Sequence, residues 1–212
     1  MTEIEYKSEK YNFAWWRVLL FFFMAPLISI FIYKLTEVLW VYTHRPIVKQ
    51  TVWVINLLTN IGDFDWGFDS SYVIDGYYFI VPLRGPIGFT TMCTGVQAIA
   101  IFSGIILMIP HSYNDHVNRN IWWRKLLSLV VSSAIFYIVN IARMVLQLTL
   151  YSKGWNWDDI HVSISAASSF IAALIILLMH RWIPEFIISI IWTLGELKAT
   201  LGLGKKAIPV SS

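Results

Sequence analysis

Long apolar stretches dominate this chain and limit what it can fold into. Five or six of them reach or approach the length that crosses a bilayer core, which is roughly 17–25 residues for a core of about 30 Å. Charged residues make up only 14% of the 212 residues, whereas a soluble domain usually carries about 25%. Polar surface is too scarce to cover a soluble fold, so we predict an all-α integral membrane protein.

Six stretches are candidate transmembrane spans. The first contains Pro26 and reads as a retained span, because no small-residue cleavage motif follows it. The second is the weakest because it carries several polar side chains, and the last is equally suited to a helix lying in the interface. We therefore predict a bundle of five to six transmembrane helices that forms one membrane domain over residues 1–212. The stretches cover residues 13–33, 47–61, 87–109, 126–150, 162–179 and 183–201.

Loop charge predicts the orientation in the cell membrane. The segment after the third span is basic, with Arg119, Arg124 and Lys125, and basic loops favour the cytoplasmic side. The acidic residues 62–85, and residues 151–161, are then extracytoplasmic. The side of the N-terminus stays open. Basic residues between the first two spans also favour the cytoplasm, and five spans with an external N-terminus would satisfy them.

Residues 72–83 differ in character from the rest of the chain. Asp75-Gly76 lies there between two runs rich in aromatic and β-branched residues. This dipeptide favours a tight turn because both central positions of a type I′ turn need positive φ. We predict a small extracytoplasmic hairpin, with an irregular loop as the alternative.

A polar stripe runs along the fourth span. Arg143 lies about seven residues from the outer end of this span, which is ~10 Å deep at the helical rise. A charge inside a membrane is costly, so it needs a partner or a function. Ser133, Tyr137, Asn140 and Gln147 share its helical face, and we predict that this face points into the bundle. The alternative is a structural arginine that reaches toward the interface or bonds a loop carbonyl.

Cys93 is the only cysteine and opens the third predicted span. Thr90 and Gln97 have the spacing of one helical face with it. The free N–H groups of a helix N-terminus stabilise an anion such as a thiolate, and Gly95 permits close approach of a substrate or a helix. A buried structural thiol is the alternative.

His161 opens the fifth predicted span, directly after acidic residues that include Asp159. An interfacial histidine without a catalytic role is the alternative for this residue taken alone. The predicted topology places Cys93, Arg143 and His161 in the outer half of three consecutive spans. A thiol, an imidazole and a guanidinium at one depth are the parts of thiol acyl transfer. His161 would take the thiol proton and give a proton to the leaving amine, and Arg143 would stabilise the thiolate or the oxyanion.

These motifs resemble the exosortase/archaeosortase family of membrane transpeptidases. The resemblance consists of Cys93-Thr94-Gly95 opening one span, Asn140-x-x-Arg143 inside the next, and His161 opening the third. The motifs match the family in order and membrane side.

The resemblance covers residues 85–175, and two positions depart from the family pattern. Thr94 stands where members often have Ser or Ala, and Val162-Ser163 follows the histidine where many members have an acid and a glycine.

The resemblance implies a cysteine protease or transpeptidase, hence a hydrolase or transferase. Its substrates would be surface proteins that end in a short motif, a transmembrane segment and a basic tail. Cleavage at the extracytoplasmic face would form a thioester, which a membrane lipid, another amine acceptor or water resolves. Cys93, Arg143 and His161 would be catalytic, and the supporting or substrate-binding residues would be Thr94, Gly95, Gln97, Tyr137, Asn140, Gln147 and Asp159.

Two other classes of protein stay open. One is a small transporter or channel subunit with Arg143 as an anion-site charge, and the other is a membrane assembly factor without chemistry. We expect no cofactor or metal, because one cysteine and five scattered histidines form no ligand pattern. No nucleic-acid partner is expected, since the net charge is only +3.

Overall fold

The computed structural model describes residues 3–69 and 76–201, and most of these residues are helical. A short 3-10 turn carries Cys93 and is called the cysteine turn below. In chain order the elements are β1 (Ile4–Tyr6), β2 (Glu9–Tyr11), α1 (Trp15–Val38), α2 (Trp40–Leu58), β3 (Asp65–Phe68), β4 (Tyr77–Ile80), β5 (Ile87–Phe89), the cysteine turn (Thr91–Thr94), α3 (Val96–Met108), α4 (Asp115–Asn118), α5 (Ile121–Ser152), α6 (Trp157–Met179) and α7 (Glu185–Thr200).

Three helices are long and apolar enough to cross a membrane, namely α1, α5 and α6. They correspond to the first, fourth and fifth stretches predicted from the sequence, and each extends those stretches by a few residues. Most of their surface is exposed apolar side chain, which is what a lipid solvent requires. The chain is therefore a mostly helical protein with three helices suited to spanning a membrane.

Helices α2, α3 and α7 are shorter or more polar than a typical span. Helix α3 has only 13 residues, α7 has 16, and α2 carries a buried histidine. The described part of the chain thus has three membrane-length helices, fewer than the five to six predicted.

The third predicted span, residues 87–109, is not one helix. It begins as β5, continues through the cysteine turn and becomes helical only at Val96. Gly95 has φ +72, a left-handed conformation that ends the turn and starts α3. The expectation that Thr90, Cys93 and Gln97 share one helical face was therefore wrong, because Gly95 reverses the backbone between them.

A three-stranded antiparallel sheet covers the cysteine-turn end of the helices. Strand β4 pairs with β3 on one side and with β5 on the other. The predicted hairpin is partly confirmed: β4 does begin at Tyr77, but its partner is β3, whose Phe68 pairs with Tyr77. Asp75, at the predicted turn, lies outside the described residues.

The opposite end of the bundle holds a second hairpin that the sequence analysis did not predict. Strands β1 and β2 pair there in antiparallel fashion. The backbone N–H of Asn12 donates to Ser112 Oγ (3.2 Å), whose hydroxyl donates back to the Asn12 carbonyl (3.1 Å). The N-terminal hairpin thus lies at the same end as the loop between α3 and α5.

Close helix packing holds α3 against α1. A Cβ at Gly104 would lie 2.1 Å from Ser29 Oγ and 2.3 Å from the Ala25 carbonyl oxygen. Only glycine permits this approach, and small residues at such contacts are typical of membrane helix pairs. This packing fixes α3 across the bundle, with the cysteine turn at one end and residues 109–120 at the other.

Candidate functional site

The Cys93 side chain lies in an apolar cluster that joins α2, the sheet and α5. It is 4% exposed, and the cluster includes Phe79, Phe89 and Met144. Its Sγ lies 3.7 Å from Thr90 Oγ1. In residues 3–69 and 76–201, no hydrogen bond links this sulfur to Arg143 or His161. The thiol is thus buried and lightly hydrogen-bonded in this conformation.

Local hydrogen bonds and one glycine determine the shape of the cysteine turn. Thr94 Oγ1 donates to the Thr91 carbonyl (2.6 Å) and accepts from the Val96 N–H (3.1 Å). A Cβ at Gly95 would lie 2.9 Å from Asn140 Cγ. Thr94 and Gly95, both predicted as site residues, therefore act on the backbone that carries the thiol.

Two residues of the predicted polar stripe bind the cysteine turn from α5. Asn140 Nδ2 donates to the Cys93 carbonyl oxygen (3.0 Å), and Arg143 Nη2 donates to the same oxygen (3.1 Å). Asn140 is fully buried. The stripe does point into the protein, as expected, and its amide and guanidinium hold the main chain of the cysteine residue.

Gln147, one turn further along α5, reaches toward α6. Its Nε2 lies 3.5 Å from the His161 carbonyl oxygen and 3.5 Å from Ser165 Oγ. The His161 ring packs against Trp157, with 5.4 Å between ring centroids. The stripe therefore joins the cysteine turn on one side to the backbone of the predicted histidine on the other.

The sequence analysis expected His161 to open its helix, but the helix begins four residues earlier. Helix α6 starts at Trp157, and Asn156 caps it by accepting from the Asp158 N–H (2.8 Å). The side chain of Asp159, the predicted supporting acid, makes no hydrogen bond or ion pair with the described residues.

The three predicted catalytic residues lie on adjoining elements and are connected through main-chain contacts. Arg143 Nη2 binds the Cys93 carbonyl oxygen, and Gln147, one turn along α5, reaches the His161 carbonyl oxygen. Among the described residues, no hydrogen bond joins the thiol, the guanidinium and the imidazole directly.

Buried polar atoms without partners are concentrated at this place. Nine buried side-chain atoms in the described part of the chain lack a hydrogen-bond partner, and four belong to this site. Buried polar groups are normally paired, so such a cluster calls for a ligand or ordered water. The four atoms are Asn140 Oδ1, Arg143 Nε, Gln147 Oε1 and His161 Nδ1.

A cavity of about 290 Å³ lies between α3, α5 and α6, and of the four residues with unpartnered atoms Arg143 lines it. Arg143, Gly95 and Gln97 line its polar part, and small residues such as Ser168 and Ala172 line its wall. The Cys93 side chain does not line it, although the neighbouring residues do. The cavity offers a polar end beside the cysteine turn and a narrow apolar extension along α6.

Tyr137, another predicted supporting residue, does not line the cavity. Its hydroxyl donates to Gln50 Oε1 of α2. This contact places Tyr137 in the packing between α2 and α5, so its role in the structure is to join two helices.

His44 was missed by the sequence analysis, which treated it as one of five scattered histidines. It is fully buried on α2. Its Nε2 lies 3.2 Å from Thr91 Oγ1, and its Nδ1 lies 3.0 Å from Thr43 Oγ1. The ring also packs edge-on against Phe89. No motif marks this residue, because its contact with the cysteine turn spans 47 positions in sequence.

Fold and site together define a membrane-type helical protein whose polar centre is built around a clamped cysteine turn. Comparisons with models of known families, with curated proteins and with solved structures found no match. The function of the chain is therefore inferred from its own residues and their arrangement.

Proposed function

We propose that the chain is an intramembrane cysteine peptidase or transpeptidase of the exosortase/archaeosortase type. The nucleophile is Cys93, the general acid and base is His161, and the oxyanion or thiolate is stabilised by Arg143. The observation that carries the proposal is the group of four unpartnered buried polar atoms on α5 and α6, two of them on residues that bind the cysteine turn. A carbonyl substrate with its amide N–H and developing oxyanion would supply the missing partners.

The proposed reaction has two steps. The Cys93 thiol passes its proton to the His161 ring, and the thiolate attacks the scissile carbonyl. The C–N bond then breaks as His161 returns the proton to the leaving amine, which leaves an acyl thioester on Cys93. An amine or hydroxyl acceptor, or water, attacks the thioester and gives its proton to His161; the C–S bond then breaks, and His161 returns that proton to the Cys93 sulfur.

The orientation of Arg143 supports a positioning role as well as an electrostatic one. Its Nη2 already holds the Cys93 carbonyl, while its Nε has no partner among the described residues. Because the Cys93 sulfur is buried and does not line the cavity, the proposal requires the cysteine turn to rotate toward Arg143 when substrate binds.

The proposed substrates are surface proteins that end in a short motif, a transmembrane segment and a basic tail. The acceptor would be a membrane lipid or another amine. On this proposal the cysteine turn faces the extracytoplasmic side of the plasma membrane, and the shorter helices complete a bundle of five to six spans. The aspartates in and beside β3 and in the first turn of α6 support this orientation, as do the basic residues at and just before the start of α5.

The test is processing of such a substrate by the full-length protein in membranes. Cys93→Ser and His161→Gln should each abolish cleavage, and Arg143→Lys should reduce it at least a hundredfold, because an ammonium cannot replace a planar fork. Arg119→Lys, an exposed arginine at the other end of the bundle, is the matched control. Cleavage that survives Cys93→Ser would overturn the proposal and favour the transporter alternative, with Arg143 as an anion-site charge.

A further inference from the structure

We propose a second site, at the end of the bundle opposite the cysteine turn, that binds the phosphate headgroup of an anionic phospholipid. It is built by Arg17 at the start of α1, His111 in the loop after α3, and Lys125 near the start of α5. The inference does not depend on the chemistry proposed for Cys93, because the two sites lie at opposite ends of α3, about 20 Å apart at the helical rise.

Arg17 is an anchored cation with unused donors. Its guanidinium lies 5.3 Å from the Trp16 ring centroid and 5.4 Å from that of Tyr113. Its Nη1 donates to the His111 carbonyl oxygen (3.4 Å), which is its one hydrogen bond with the described residues. A guanidinium has five N–H donors. Among the described residues, no carboxylate forms an ion pair with the Arg17 guanidinium. The two aromatic rings thus hold the Arg17 guanidinium in place, and its paired N–H donors match the oxygens of a phosphate.

Lys125 adds a second positive charge near Arg17, and His111 adds a hydrogen-bond donor. Lys125 is 3% exposed, and its Nζ donates to the carbonyls of Leu107 (3.0 Å) and Ile109 (2.9 Å). It also lies 3.3 Å from His111 Nε2. Burial, then Lys125 and Arg17, lower the pKa of His111 below its ordinary value. With Nε2 facing the ammonium, the neutral ring carries its proton on Nδ1 and is a further donor.

The shape of the site matches a lipid rather than a free anion. An apolar cavity of about 310 Å³, with Leu20 and Met108 in its wall, meets a polar cavity of about 420 Å³. Arg17, His111 and Trp122 line both cavities. A headgroup on Arg17 would therefore have its acyl chain along the apolar groove beside α1.

The surroundings of the site are those of a membrane interface. It lies at the first turns of α1 and α5, two of the three membrane-length helices. Trp16 and Trp122 are largely exposed on either side of Arg17, and exposed tryptophans favour the headgroup layer. Asp115 lines the polar cavity, so a headgroup with one negative charge and an uncharged polar group fits better than a multiply charged one.

The experiment measures lipid retention by the full chain, purified in neutral detergent, using native mass spectrometry. The probes are phosphatidylglycerol and phosphatidylcholine with identical acyl chains. We expect preferential retention of phosphatidylglycerol, weakened about fivefold by Arg17→Gln. Arg181→Gln, which removes one exposed charge at the same end of the bundle, is the matched control and should change retention little.

A second variant tests the groove without altering charge or the anchored arginine. Leu20→Trp, at a half-exposed position on the lipid-facing side of α1, should fill the apolar cavity and lower retention of both lipids. The proposal is overturned if Arg17→Gln retains phosphatidylglycerol like the parent protein, or if Arg181→Gln loses it equally. It is also overturned if inorganic phosphate at the headgroup concentration displaces the lipid, since the site would then take a free anion.

Discussion

At Cys93 the sulfur and the carbonyl of one residue have opposite surroundings. The sulfur lies among apolar side chains, while the carbonyl oxygen accepts from Asn140 and Arg143. The polar stripe of α5 therefore acts first on the main chain of the cysteine residue. The residue types and spacing of the stripe could be predicted from the sequence. Its partner could not, because that partner is a backbone carbonyl and a sequence motif specifies only side chains.

Gly95→Ala should destabilise the protein and abolish activity. The residue has φ +72, and a Cβ would lie 2.9 Å from Asn140 Cγ, so both strain and a clash oppose the substitution. We expect a loss of about 1–3 kcal/mol in the free energy of unfolding, measured by denaturant titration in detergent. Gly85→Ala is the control, since a Cβ there meets no atom within 4 Å. Equal stability of the two variants would contradict the structure of the turn.

His44→Phe should loosen the cysteine turn while keeping the ring volume on α2. It removes the contact of Nε2 with Thr91 Oγ1, so Cys93 should react several-fold faster with iodoacetamide at fixed pH. Substrate cleavage should fall about tenfold, which is the consequence of losing about 1.4 kcal/mol of positioning. His44→Gln should restore part of the cleavage rate, because its amide can still bind Thr91.

The control for this variant is His116→Phe, at an exposed position on the opposite end of the bundle. If His44→Phe leaves both the alkylation rate and cleavage unchanged, His44 does not position the cysteine turn.

Among the elements, the sequence predicted the long helices best and the irregular ones least. Helices α1, α5 and α6 follow from apolar length alone. The broken third span does not, because Asn140 and Arg143, from another helix, fix the turn before Val96. The β1–β2 hairpin was missed for a similar reason, since its support comes from Ser112, 100 residues away.

Lys125 terminates α3 from a neighbouring helix, and its removal should cost stability. Lys125→Met would leave the Leu107 and Ile109 carbonyls without their ammonium donor. Buried carbonyls that lose a donor cost about 1–3 kcal/mol, measurable as a lower denaturant midpoint. Lys153→Met, at the exposed far end of α5, should be near neutral. A Lys125→Met variant as stable as the parent would contradict this capping role.

For the molecule as a whole, the two ends of the bundle have different polar chemistry. One end holds the cysteine turn beneath a small sheet. The other holds Arg124 and the fully buried Glu185, joined at 2.7 Å between α5 and α7. Composition predicted the membrane class, but neither the buried ion pair nor the anchored Arg17 could be seen without the helix arrangement, because their partners come from distant segments.

Global stability should fall with decreasing pH through His111. Burial, Lys125 and Arg17 lower its pKa in the folded protein, so the unfolded chain binds a proton more readily. The contribution of neutral His111 to the free energy of unfolding is fully present above the pKa of the unfolded chain, about 6.5. It declines as pH falls toward the lower pKa of the folded protein. His111→Gln should flatten the denaturant midpoint between pH 7.5 and 5.5. An unchanged slope in His111→Gln would refute the assignment.

The most direct measurement is the mass of the protein after brief incubation with a peptide ester or sorting-signal substrate, followed by acid quenching. The account predicts an acyl adduct on Cys93, the only cysteine, that hydroxylamine releases. The adduct should be absent in Cys93→Ser and should form much more slowly in His161→Gln and Arg143→Lys. An unmodified Cys93 in a protein that still cleaves substrate, or an adduct on another residue, would contradict it.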